Sequence, residues 1–297
     1  MKLLPLPLCL LLTLTLYNCE DTVELDSRFE EPQLVVDAWL NNRSEPQTVI
    51  LTESQDFYAN RLPTPVTDAQ VVVCPDNDPA ACIVFEHRGE GNYVWEPAAG
   101  DSLGSVGTDF ALGIQRGEDQ YLALTTLKRT AIIDSLSFQF EEESLGFDEG
   151  FYAQIYARDR PGTGDAYWIR STVNDTLLLQ PGEVNFAYDA TFSPGTGTDG
   201  VAFIFPIRFS VNRQDENGGF EPLTDGDEVS VEILSLSDEA YLFLRVATEQ
   251  IQNGDAGIFA LPVANSPGNV FNVETEERVL GMFNVGASTR VTRTFSE

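Results

Sequence analysis

The sequence predicts an all-β protein: an immunoglobulin-like sandwich over residues 33–130, then a second β-rich domain over 131–297 that carries one packing helix. Three observations lead there. Short alternating or β-branched runs, separated by clusters of Gly, Pro, Asn and Asp, recur along the whole chain, which is the pattern of strands joined by turns. Seven such runs crowd into the first part of the chain, at the spacing of a sandwich. Only one stretch has helical periodicity. With 297 residues, 42% of them hydrophobic, the chain can bury a large core and exceeds a typical single domain.

The first element is not part of the fold. Lys2 is followed by a leucine-rich run, Leu3–Leu16, interrupted only by prolines, threonines and Cys9. That run is shorter than the roughly 20 residues a membrane-spanning helix needs, and it reads as a secretory signal, residues 1–18. The stretch LTLYNCED places Leu16 three residues before Cys19, as in the box that ends a bacterial lipoprotein signal, and turns polar immediately afterwards. Asn18 stands where Gly, Ala or Ser is usual. Cys19 is therefore expected to bear a lipid at the mature N-terminus; the alternative is a plain signal peptide cut nearby, with Cys19 an incidental thiol. Residues 19–32 hold six acids and read as a tether.

The strands of the sandwich follow in order: Gln33–Leu40, Thr48–Thr52, Ala69–Cys74, Cys82–His87, Asn92–Glu96, Asp109–Gln115 and Gln120–Thr126. The Cys–Trp–Cys pattern of antibody domains is absent. In the second domain, Ile132–Phe140 and Phe151–Asp159 flank an acidic, glycine-containing loop, and AYWIRSTV and TLLLQ flank Asn174-Asp175, a hairpin turn. Val184–Gly200, rich in Gly, Thr, Ser and Asp, is expected to be a long loop. Val201–Val211 and Asp227–Leu236 read as strands, as do Leu280–Val285 and Thr289–Phe295. The helix is SDEAYLFLRVATEQIQNG, near 238–253. Ser237 is its N-cap, acids occupy the next two positions and Asn253-Gly254 ends it. Tyr241, Leu244, Ala247, Thr248 and Ile251 form an apolar stripe suited to packing on a sheet.

If Cys9 leaves with the signal and Cys19 carries lipid, Cys74 and Cys82 remain. An export compartment favours disulfides, and the intervening PDNDPAA has the turn chemistry to close a loop between them. A zinc site would need more ligands than two Cys and the single His87.

Charge narrows the function classes. There are 47 acids against 17 basic residues, a formal net charge of −30. Nucleic-acid binding is excluded, because neutralising phosphates requires a basic patch, and adsorption to anionic headgroups is disfavoured, which makes a covalent lipid the sensible anchor. Gly100–Gly104, GDSLG, matches the G-x-S-x-G of a hydrolase elbow around Ser102. His87 precedes it, whereas hydrolases of this type place their His after it, and the context is a loop between strands. The acidic loops Asp76-Asn77-Asp78 and Asp225-Gly226-Asp227-Glu228 offer oxygen ligands for calcium without matching an EF-hand. Trp39, Trp95 and Trp168 fall inside strand runs, where core packing is the expected role and sugar stacking the alternative. No catalytic residue and no cofactor is expected.

Several stretches together resemble one family. CEDTVELDSRFEEPQLVVDAWL, VILTESQDFY, TPVTDAQVVV, YLALTTLKRTAIIDSLSF, LSLSDEAYLFLRVATEQIQNG, NVFNV and GMFNVGAS are similar, in order, to domain-of-unknown-function family 4249, outer-membrane lipoproteins of the Bacteroidota. The resemblance implies a lipid on Cys19 and a partner, because genes of that family commonly lie beside a TonB-dependent outer-membrane transporter. Glu20-Asp21 is compatible with the acids that direct lipoproteins to the cell face in that phylum. The expectation is a non-catalytic, lipid-anchored accessory to such a β-barrel in substrate capture or gating. The alternative is a stand-alone surface module for glycan binding or adhesion, with or without calcium.

Overall fold

Leu34, Val36, Ala38 and Leu40 stand at every second position, so a strand here turns all four to one side. In the computed structural model they are the buried face of β1 (Leu34–Asn41). The structure describes residues 32–297 apart from 56–58, 60, 77, 145–146, 181, 195–196, 217 and 254–264. The signal sequence, Cys19 and the tether as far as residue 31 lie outside the described residues. Residues 32–54 and 61–297 form one compact unit.

All the strand runs of the first part are present: β2 (Gln47–Glu53), β3 (Ala69–Pro75), β4 (Ile83–Gly89), β5 (Asn92–Trp95), β6 (Asp109–Arg116) and β7 (Asp119–Thr126). Their pairing puts β1, β2, β5 and β4 side by side, and β3 beside β6 and β7. This is the strand order of the two halves of an immunoglobulin-like sandwich. The β3–β4 hairpin, with Val71 opposite Phe85, joins the halves into one sheet.

The second part adds β8 (Ile132–Glu141), β9 (Gly150–Arg158), β10 (Ala166–Val173), β11 (Thr176–Leu177), β12 (Asn185–Tyr188), α1 (Phe205–Phe209), β13 (Glu228–Leu236), α2 (Asp238–Asn253), β14 (Val270–Asn272), β15 (Leu280–Gly286) and β16 (Ser288–Thr294). Asn174 and Asp175, both at positive φ, make the β10–β11 turn, the backbone that a two-residue hairpin loop demands.

Two of these strands return to the first sheet. β14 pairs with β7, and β15 runs parallel to β1 from Val35↔Leu280 to Asn41↔Gly286. The sheet thereby has nine strands and curls until its edges meet. At the seam the Asn269 side chain stands in for a strand backbone: its amide donates to the Phe283 carbonyl at 2.8 Å, and its oxygen accepts from the Phe283 N–H at 2.9 Å. The curl encloses a core that includes Leu51, Tyr93, Phe110, Leu112 and Phe283.

β10, β13, β16, β11 and β12 form a five-stranded sheet, and β8–β9 is a hairpin facing it. Period-two alternation divides the labour of β10. Tyr167, Ile169 and Val173 point to a second core shared with Leu136 and Ile155 of the hairpin. Ala166 and Trp168 point the other way, to Ala240, Tyr241 and Leu244 of α2 and to Trp39 and Met282 on the outside of the first sheet. Ser237 caps α2 as expected, its hydroxyl accepting from the Ala240 N–H at 3.1 Å. Ile251, expected in the buried stripe, is 50% exposed.

Two expectations are overturned. Val184–Gly200 is not all loop, because Asn185–Tyr188 pairs with β10 as β12. Val201–Val211 is not a strand. It starts to pair with the free edge of β9, where Phe203 N–H donates to the Ala157 carbonyl at 3.0 Å. Pro206 then removes a donor, which an inner strand position does not tolerate, and the chain lifts into the single turn of α1 with that proline in its first turn. Asn212 repairs the edge with its side chain, accepting from Ala153 N–H at 2.7 Å and donating to Ala153 C=O at 2.9 Å.

Candidate functional site

Cys74 and Cys82 are disulfide-bonded, with their Cα atoms 4.0 Å apart. The bond ties the end of β3 to the start of β4 around a short 3-10 turn, Pro79–Ala81, whose N-terminus is capped by the Asp78 carboxylate on the Ala80 N–H. Cys19 lies outside the described residues.

Ser102 is exposed in the loop between β5 and β6, and Leu103 beside it is buried as a plug. No helix follows, so the elbow that would activate a serine is not formed. His87, exposed on β4, packs its ring 5.2 Å from that of Tyr93, and no hydrogen bond joins it to Ser102. The carboxylates of the second acidic loop already serve the backbone. Asp227 accepts from the Thr224 N–H and hydroxyl and from the Asn174 amide. Burial works against the Asp227 charge, but these donors hold its carboxyl below the usual range. Among the described residues no three His, Cys, Asp or Glu side chains are grouped to hold a metal ion. Trp39 and Trp168 meet edge to face at 4.9 Å between the two sheets, and Trp95 packs on Phe85.

The polar centre of the molecule lies beside those tryptophans. Strand register sets Arg170 and Arg290 on either side of Glu232. Arg170 approaches the Glu232 carboxylate at 2.5 Å and Arg290 at 3.3 Å. Ser288 and Asn41 donate to its other oxygen. Arg290 also grips Glu45, on the β1–β2 turn, through both terminal nitrogens at 2.8 Å. Burial pushes the Glu232 carboxyl up, yet the two guanidiniums and the Ser288 hydroxyl outweigh it and hold the group below its ordinary 4.5.

Next to this network opens a cleft of about 470 Å³, lined by Arg43, residues 131–135, Arg160 and residues 288–291. The β1–β2 turn supplies Arg43, the chain just past β9 supplies Arg160, and β16 supplies Arg290. Arg160 is fixed by its Nε, which donates to the Thr130 carbonyl at 2.8 Å. Among the described residues it has no carboxylate partner. Arg43 Nε is buried without a hydrogen bond, and Glu45 Oε2 lies 3.5 Å from it. Asp134, also on the wall, is taken by Arg158 at 2.6 Å. A second cleft of about 470 Å³ lies between the ends of β6 and β7 and the start of α2, with Asp109, Lys128, Asp238 and Glu239 in its lining.

Sequence reasoning missed the arginine cleft, whose three arginines are far apart in the chain. The available signal was negative: Arg160 sits in ARDRPGTGD, beside acids that the fold assigns to other partners. The profile of a family described as a domain of unknown function (DUF4249) matches residues 20–292. No curated protein matches the chain.

Proposed function

The chain belongs to the DUF4249 family, and on that premise we propose that it is a lipid-anchored outer-membrane protein of the Bacteroidota, working beside a TonB-dependent transporter to capture or gate its substrate, without catalysis of its own. The observation that carries this reading is LTLYNCED, a short apolar run ending three residues after an aliphatic position in a cysteine followed by acids. A covalent lipid suits a chain whose net charge of −30 would repel anionic headgroups. A tether over residues 19–32, extended, reaches about 45 Å, enough for a folded body to stand at the mouth of a neighbouring barrel. The gene neighbourhood of the resembled family supports the choice of partner.

The test is purification of the tagged full-length protein from membranes in mild detergent, with mass spectrometry of what accompanies it. A β-barrel transporter in stoichiometric amount is the expected result. A protein that emerges alone at both low and high salt overturns the transporter reading.

A further inference from the structure

We propose that the arginine cleft binds the carboxylate of a small organic acid. The inference rests on the cleft alone and goes beyond the transporter reading.

The charge there runs against the rest of the molecule. Of the four charged residues that line the cleft, Arg43, Arg160 and Arg290 are basic and only Asp134, itself paired with Arg158, is acidic, in a chain whose total is −30. Anions repelled from the general surface are drawn to such a spot.

Arg160 also has donors to spare. Arg160 uses Nε on a carbonyl and leaves its two terminal nitrogens without a hydrogen bond among the described residues. Arg43 Nε makes no hydrogen bond and is held only by the ion pair to Glu45 at 3.5 Å. A guanidinium fork matches a planar carboxylate in two parallel bonds. Glu45 already shows this geometry on Arg290 at one edge of the cleft. Ser135, Ser288 and Thr289 add hydroxyl groups to the wall beside Ile132. The volume, about 470 Å³, falls within the range of small-molecule sites.

The probe is butanoate, titrated by ligand-detected NMR into the purified full-length protein in mild detergent, with a detergent-only control. Butanamide, of the same shape without the charge, is titrated in parallel. Saturable binding of butanoate is expected, with butanamide weaker by about tenfold or more, and Arg43→Gln and Arg160→Lys each weakening butanoate by a similar factor. Arg43 lies on a turn, so Arg43→Gln keeps the test valid where Arg160→Lys disturbs folding; the unfolding midpoint of each variant is measured alongside. Equal binding of the amide, unchanged binding in both folded variants, or no saturable binding overturns the proposal. Inorganic phosphate displacing butanoate at equal concentration overturns the assignment to a carboxylate.

Discussion

Glu232 is one of 47 acids in the sequence, and nothing in EVSVEILSL distinguishes it from a solvated strand residue. Its neighbours on the same strand face are Leu234 and Leu236, so the fold buries it, and two arginines and a serine from adjacent strands meet it there. Removing one member of such a group costs far more than the group contributes net, because the partners stay buried without compensation. Glu232→Ala is therefore expected to lower the free energy of unfolding by about 3 kcal/mol, read as a shift of the urea midpoint. The sign of its pH dependence follows from the same contacts. The folded carboxyl titrates below its ordinary 4.5, so its stabilisation is complete above that value and is lost as the pH falls through the lower, folded value. Wild type should lose stability faster than Glu232→Gln between pH 5 and pH 3; parallel losses would refute the assignment. The arginine cleft was equally hidden at this scale. Arg43, Arg160 and Arg290 converge through a turn, a strand end and a C-terminal strand, and spacing in the chain carries no trace of that.

Single strands were legible wherever side-chain alternation and turn residues agreed. β1 to β7 follow the β-branched runs almost residue for residue, α2 follows its cap and stripe, and the disulfide follows the turn chemistry between its cysteines. Failures came where pairing, a non-local property, decides the structure. β14 is three residues long and exists because β7 offers an edge; β12 exists because β10 does. Val201–Val211 has the composition of a strand and even starts as one beside β9. Pro206 breaks the ladder, and Asn212, at 1% exposure, restores it with a side chain that also donates to the Phe209 carbonyl. Asn212→Ala removes three hydrogen bonds and leaves both backbone groups of Ala153 without their partner. A loss of about 2 kcal/mol or more is expected, since unmet buried polar groups are costly. Hydrogen exchange at the Ala153 amide should accelerate more than exchange in β6. Uniform acceleration would mean that Asn212 acts only through overall stability.

The order of the whole molecule is where local reading has least purchase. The sequence places a boundary near residue 130. In the structure β14 and β15, from the far end of the chain, occupy the two edges of the first sheet. They and Val279, the residue just before β15, bring four side chains, Val270, Val279, Phe283 and Val285, into its core. β1 and β15 are parallel neighbours, a pairing that hairpins cannot supply and that forms only when distant segments meet. A fragment of residues 32–130 would keep the seven strands, lack those four core side chains and expose the backbone edges of both β1 and β7. Open edges of that kind pair with other copies. The fragment is thus expected to aggregate or to remain without fixed tertiary structure, while the full chain unfolds in one transition because no part of the first core can be released without the last. Circular dichroism with size-exclusion chromatography and an amide NMR spectrum would read both outcomes. A monomeric fragment with dispersed amide signals and its own cooperative urea transition would show that β14 and β15 decorate a sandwich that is already self-sufficient. An aggregated or unstructured fragment would show that the curl of the sheet depends on its return from the C-terminus, and that the residues which shape the cleft are held in place by the entire chain.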